Sequence, residues 1–193
     1  MVVSDGEPWP IRRVKDMKRI GAGFWKALYI SLFALCLDQV SKVLVSTGMR
    51  LHQSTKIIGD LFRLTYIHNP RGVFGLPLGG VLFQTIFSFV AIVLLLYALY
   101  RASEAKFSVR LSLAMILGGA LGNFIDRVRM GEVVDFLDFG VGGMRWPIFN
   151  AADIWVTVGA ILLAFHCVVQ KDIENDEGDA ALRPEGDEGA DPT

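Results

Sequence analysis

Only two cysteines, Cys36 and Cys167, and three histidines occur among the 193 residues. Two thiols are too few for a disulfide scaffold, and both lie inside apolar stretches, where packing is the expected role. His52, His68 and His166 are dispersed and make no spaced ligand pair, so no metal site and no cofactor are expected. Neither sign of charge is in excess: 19 Lys+Arg face 20 Asp+Glu, a formal net charge of −1. A nucleic-acid-binding domain would show a basic surplus, so none is expected to bind here. Glycine follows no period of three, which excludes a collagen-like chain. A disordered chain is excluded by 52% hydrophobic residues and a mean hydropathy of +0.43. There is no internal repeat.

What is present is segregation. One residue in five is charged, yet charge is missing from long blocks. No charge falls between Lys26 and Asp38, from Gly72 to Tyr100, from Leu111 to Ile125, or from Ile154 to Gln170. A bilayer span needs roughly 20 mainly apolar residues. Only the second block reaches that length unaided; the others do so by including an aspartate near one end. Four transmembrane helices are predicted, at about 24–45, 81–100, 109–127 and 151–170. An all-α membrane protein follows as the fold class.

Arg12, Arg13, Lys15, Lys18, Arg19 and Lys26 precede the first span, and Arg101, Lys106 and Arg110 separate the second from the third. Positive charge collects on the cytoplasmic side, so both segments are expected there, and four spans return the C-terminus to the same side. The N-terminus is basic and then apolar, but the apolar stretch is long and no small-x-small cleavage site follows, so the first span is expected to be retained. Three parts result: a basic extension over 1–23, a membrane domain over 24–170, and a tail over 171–193. The tail carries nine acidic residues against Lys171 and Arg183 and has no apolar periodicity, so it is expected to be solvated and disordered.

Outside the spans, Phe62-Arg63-Leu64-Thr65-Tyr66 alternates as a short strand does, and Val133 to Phe139 is also strand-like before the turn at Gly140, Gly142 and Gly143. Phe74, Leu76 and Leu78 with their flanking glycines suggest a short interfacial helix. Trp146 and Trp155 suit an interfacial belt.

The topology then makes a statement about aspartates. The first span carries Asp38 toward its outer end, the third ends at Asp126, the fourth begins at Asp153, and Asp135 lies in the outer connection. Four carboxylates from separate parts of the chain reach one depth, with Asn69, Asn123 and Asn150 at the same level. Ionisable groups bordering spans are costly and face a bundle interior or a wet cavity. Two neighbouring carboxylates that share a proton can activate water with one group and protonate a carbonyl with the other. An ion relay would spread its carboxylates across the membrane, whereas the inner halves of the later spans hold none. A proton-coupled carrier and a structural scaffold are the competing readings. Lys42, four residues after Asp38, suits an ion pair at a helix end equally well, and Arg127 could pair with the adjacent Asp126. Spacing does not decide whether Asp126, Asp135 or Asp138 partners Asp153.

Five stretches, in order, resemble the bacterial lipoprotein signal peptidases, the signal peptidase II family of membrane aspartic proteases. They are Asp38-Gln39-Val40-Ser41-Lys42; His68-Asn69-Pro70-Arg71-Gly72-Val73-Phe74-Gly75; Gly118-Gly119-Ala120-Leu121-Gly122-Asn123-Phe124-Ile125-Asp126-Arg127; Gly131-Glu132-Val133-Val134-Asp135-Phe136; and Trp146-Pro147-Ile148-Phe149-Asn150-Ala151-Ala152-Asp153. The resemblance covers about residues 24–170. It implies four transmembrane helices with a small extracytoplasmic β-sheet and a short interfacial helix. It implies a catalytic pair at Asp135 and Asp153, and supporting or substrate-holding roles for Asp38, Lys42, Asn69, Gly72, Asn123, Asp126, Arg127, Asn150 and Ala152. The implied substrate is a prolipoprotein whose cysteine carries a diacylglyceryl group, cut just before that cysteine at the outer face of the cytoplasmic membrane. Membrane lipid is the other expected partner, with no obligate protein partner.

Overall fold

In lipid a backbone must satisfy its own hydrogen bonds, so apolar blocks of this length fold as helices. The computed structural model describes residues 21–70 and 80–181. Its helices are α1 (Ala22–Gly48), α2 (Val81–Arg101), α3 (Phe107–Met130) and α4 (Ala151–Ala181). All four are long and apolar enough to cross a membrane, α4 through its portion Ala151–Gln170. The helix then runs eleven residues beyond the boundary drawn from hydropathy, into the acidic segment expected to be disordered. Loss of apolar character does not end a helix, and no proline interrupts residues 171–181. Gly72, the interfacial helix expected around Phe74, Leu76 and Leu78, and the basic extension up to residue 20 lie outside the described residues.

Helix α3 packs against α1, α2 and α4. Its approach to two of them depends on missing side chains. A Cβ on Gly119 would stand 2.4 Å from the Ala152 carbonyl oxygen on α4, and one on Gly122 would stand 2.3 Å from an Asp38 carboxylate oxygen on α1. Small residues at such crossings let helix backbones approach in lipid. Leu113, Ala114 and Leu117 of α3 pack with Ala27, Ile92 and Leu99 in the centre of the bundle. Outward faces are apolar instead, as at Phe87 and Leu94 on α2 and Phe165 on α4. Cys36 and Cys167 belong to that outer surface, so the packing role expected for them is not found.

The strands are β1 (Ser54–Ile58), β2 (Phe62–Asn69), β3 (Val133–Val141) and β4 (Met144–Arg145), antiparallel in the order β1-β2-β3-β4. The β3–β4 turn places Gly142 and Gly143 at φ +59° and +90°, the left-handed geometry of a two-residue hairpin loop. β2 pairs Leu64 with Leu137 and then Ile67 with Asp135, so Thr65 and Tyr66 together oppose Phe136. This bulge sits beside Asp135. Val134 and Phe136 pack with Tyr66 against Val45 at the end of α1. Asp135 lies between them in sequence and therefore points to the opposite face.

Candidate active site

Four elements converge at one end of the bundle. Asp38 and Lys42 are one turn apart on α1, which puts them on one face. α3 brings Asn123 and Asp126 three residues apart, β3 brings Asp135, and the start of α4 brings Asn150, Ala152 and Asp153.

The first half of the cluster is a buried ion triad. Lys42 Nζ lies 2.8 Å from Asp38 Oδ2 and 2.8 Å from Asp126 Oδ2, with all three side chains less than 5% exposed. Its third contact is Asn123 Oδ1, at 3.0 Å. The remaining carboxylate oxygens are also used. Asp38 Oδ1 accepts the Ala152 N–H at 2.9 Å, fastening α1 to the first turn of α4. Asp126 accepts the Val134 N–H, fastening α3 to β3. Gln39 Nε2 reaches Asp38, Asp126 and the Gly122 carbonyl, each at 3.2 Å. Sequence reasoning missed Gln39, although it lies between the two residues of α1 that it singled out. Its amide supplies the donors that two carboxylates and one lysine leave wanting. The ion pair considered for Asp126 and Arg127 is made with Lys42 instead. Neighbours in a helix point about 100° apart, and Arg127 Nη1 donates to the Asn123 carbonyl and to Ser88 of α2.

The second half holds Asp135 and Asp153. Asn150 is the N-cap of α4: its Oδ1 accepts the Asp153 N–H at 3.1 Å, and Asp153 Oδ2 accepts the Asn150 N–H at 3.2 Å. This reciprocal pair is a capping box. The same Asn150 turns its amide nitrogen to Asp135 Oδ1 (2.7 Å), Asn123 Oδ1 (3.0 Å) and the Val134 carbonyl (3.2 Å). Asn123 Nδ2 donates to Asp153 Oδ1 at 2.8 Å, and Asn69 Nδ2 donates to Asp135 Oδ2 at 2.8 Å. One fully buried asparagine thus touches both carboxylates. Burial pushes the Asp135 carboxyl up to about 7, against the hydrogen bond from Asn69, and the like charge of Asp153 adds to the push.

Asp138 is apart from this cluster. Three residues from Asp135 on one strand, it faces the other way, and it is held by Arg145 Nε at 2.6 Å and Thr65 Oγ1 at 2.7 Å. Burial works against its ionisation, but the Arg145 and Thr65 hydrogen bonds outweigh it and hold the carboxyl below its ordinary range. Of the residues singled out from sequence, Asp38, Lys42, Asn69, Asn123, Asp126, Asp135, Asn150, Ala152 and Asp153 meet in one network. Arg127 borders it, and Gly72 lies outside the described residues.

Paired carboxylates, one of them held near neutrality, can exchange protons with a water and an amide; this is the chemistry of an aspartic hydrolase. Comparisons with known proteins agree in kind. Residues 30–169 match the family described as signal peptidase (SPase) II. A lipoprotein signal peptidase of Halothermothrix orenii is 43% identical over 145 residues, covering 75% of this chain and 96% of that one. That of Desulforapulum autotrophicum is 40% identical over 148 residues, covering 74% and 91%. A bacterial membrane enzyme solved by the in meso method at 2.3 Å superposes with a TM-score of 0.68 at 30% identity, over 86% of this chain and 95% of that one. A multi-pass bundle with a small antiparallel sheet, a buried carboxylate cluster and this similarity along most of its length place the chain in the signal peptidase II family of membrane proteases.

Proposed function

We propose that the protein is an aspartic endopeptidase that removes the signal peptide from diacylglyceryl-modified prolipoproteins, cutting just before the lipidated cysteine, with Asp135 and Asp153 as the pair that activates water. The observation that carries this reading is Asn150, which hydrogen-bonds both carboxylates while capping the helix that bears one of them. An arrangement of this kind holds two like-charged groups together, and it is supported by Asn69 on one side and Asn123 on the other. Names of similar proteins support the substrate class, since they are lipoprotein signal peptidases.

Chemically, one carboxylate takes a proton from water as the oxygen attacks the scissile carbonyl carbon, and the other carboxyl gives its proton to the carbonyl oxygen. Collapse of the resulting gem-diol breaks the C–N bond. The leaving nitrogen takes the first proton, and the second returns to the group that gave it. The positive-inside bias of the chain supports a reading with both termini in the cytoplasm and the pair at the outer face, where acyl chains would hold the substrate. Such a site needs no metal or other cofactor. Cleavage of a diacylglyceryl-modified prolipoprotein in detergent tests the proposal. Asp135→Asn and Asp153→Asn should each abolish turnover in a folded protein; normal cleavage by either variant overturns the pair, and proton flux without cleavage favours a carrier.

A further inference from the structure

The pairing of β2 with β3 is short where the carboxylate cluster depends on it. Past the bulge only Ile67, His68 and Asn69 remain on β2, opposite Asp135, Val134 and Val133. Pro70 follows and has no N–H with which to extend the ladder. A slip of one residue in this end would turn its side chains to the other face, carrying Asn69 Nδ2 away from Asp135 Oδ2. Side chains alternate along a strand, so Tyr66 and His68 share the face behind Asn69. There the Tyr66 hydroxyl lies 2.8 Å from His68 Nε2, and His68 Nδ1 lies 3.1 Å from Glu132 Oε2. A carboxylate only accepts, so Nδ1 carries a proton toward Glu132, and in the neutral ring Nε2 accepts from the Tyr66 hydroxyl. Tyr66 is buried with Val134 and Phe136 against Val45, so this chain of bonds starts from a fixed point. It ends at Glu132, which directly precedes Val133, the strand partner of Asn69.

We propose that His68 and Glu132 are positioning residues: their bond pins the end of β2 to the start of β3 and so holds the Asn69 amide against Asp135 during turnover. The inference rests on the reading of Asp135 and Asp153 as the hydrolytic pair, and adds to it two residues whose own bonds lie on the far face of the strands. Their side chains are 28% and 37% exposed, so replacing either leaves no buried charge stranded, unlike a change at Lys42. The bond from Asn69 favours the charged form of Asp135, against the burial that opposes it. Loosening the His68–Glu132 bond therefore has a chemical consequence: Asp135 would hold its proton more tightly. The other charged groups that face Asp135 are Asp153 on α4, Lys42 on α1 and Arg127 on α3, and none of them belongs to this bond.

The test is cleavage of a diacylglyceryl-modified prolipoprotein by the full-length protein in detergent, with rates taken per folded enzyme. Glu132→Ala and His68→Phe should each lower kcat about tenfold, inside the hundredfold that a misplaced group can cost, with KM within about twofold. The double variant should be no worse than the more damaging single change, because both break one link. Glu132→Gln keeps an acceptor for Nδ1 and should recover most of the loss. The pH dependence supplies a sign. Cleavage needs one protonated carboxyl and falls as that carboxyl ionises. Removing the Glu132 charge would by itself ease ionisation of Asp135 and move the alkaline limb of kcat/KM to lower pH, whereas a loosened Asn69 moves it to higher pH. The upward shift is the expected result in Glu132→Ala. A limb that stays or moves down, losses that multiply in the double variant, or a kcat within about twofold of the wild type with only Tm lowered, overturns the positioning role. Where His68→Phe fails to fold, Glu132→Ala decides the outcome. Normal cleavage by Asp135→Asn would show the hydrolytic pair itself to be wrong; an inactive Asp135→Asn beside an unimpaired Glu132→Ala would remove only the role of His68 and Glu132.

Discussion

A carboxyl moved from 3.8 to about 7 leaves a signature in stability as well as in rate. The fold prefers the protonated Asp135, so its contribution is fully present below about pH 4, where the unfolded chain is also protonated, and is lost as the pH rises to and through about 7. The full difference is ~4 kcal/mol, and the part that falls between pH 5 and pH 8 is roughly 2–3 kcal/mol. Asp135→Asn is neutral throughout and removes the slope. It also puts an NH2 group where one carboxylate oxygen accepted from Asn150 or Asn69, at a cost of ~1–3 kcal/mol. The two stability curves should therefore converge or cross: the variant is weaker at pH 5 and equal to or stronger than the wild type at pH 8. Unfolding in mild detergent at a series of pH values measures both curves, and taking their difference cancels the histidines. A constant offset, with the same slope in both proteins, would refute the buried-acid account of Asp135.

Other expectations concern the scaffold. Gly119→Ala drives a methyl against the Ala152 carbonyl and should sharply reduce folded protein in membranes, whereas Gly48→Ala, with nothing within 4 Å of the added carbon, should leave its amount unchanged by quantitative blotting. Asn150→Ser preserves an N-cap but cannot reach Asp135, so it should be more stable than Asn150→Ala by about 1 kcal/mol while both lose cleavage; equal Tm values would show that the cap contributes nothing. Asp138→Ala should keep cleavage within about threefold, yet make the β3–β4 hairpin more sensitive to limited proteolysis at Gly142 and Gly143. A loss of turnover in folded Asp138→Ala as complete as in Asp135→Asn would require a different pair.

Helices were the legible part of the fold, because a charge-free block of lipid-spanning length has few alternatives. Their boundaries at the carboxylate end were also close, since Asp126 and Asp153 mark where apolar sequence stops. The far end of α4 was not legible: hydropathy reports where lipid ends, and the backbone continued as a helix past that point. β1 gave no clear sign in Ser54-Thr55-Lys56-Ile57-Ile58, an exposed edge whose pairing is set by β2. Within the site, topology was enough to bring the aspartates to one depth. What spacing alone did not reveal is the strand register, which turns Asp138 toward Arg145, and the helix phase, which turns Asp126 toward Lys42. Gln39 was missed because a neutral amide beside charged neighbours has no pattern of its own.

The join between sheet and α4 limits the variation this family member can absorb. Phe149 is tied to β3 through Phe136 and Leu137, and the very next residue is the cap that holds both carboxylates. A single inserted residue there would rotate the helix start by about 100° relative to the strand, sending Asp153 away from Asn123. The Gly142-Gly143 turn asks for glycine through its two positive φ angles, but it packs against nothing: no atom lies within 4 Å of where a Cβ would stand on either residue. Insertions and fusions should therefore be tolerated at the hairpin tip and not at the Phe149-Asn150 step, so the length of this step is as much a part of the carboxylate cluster as the residues that flank it.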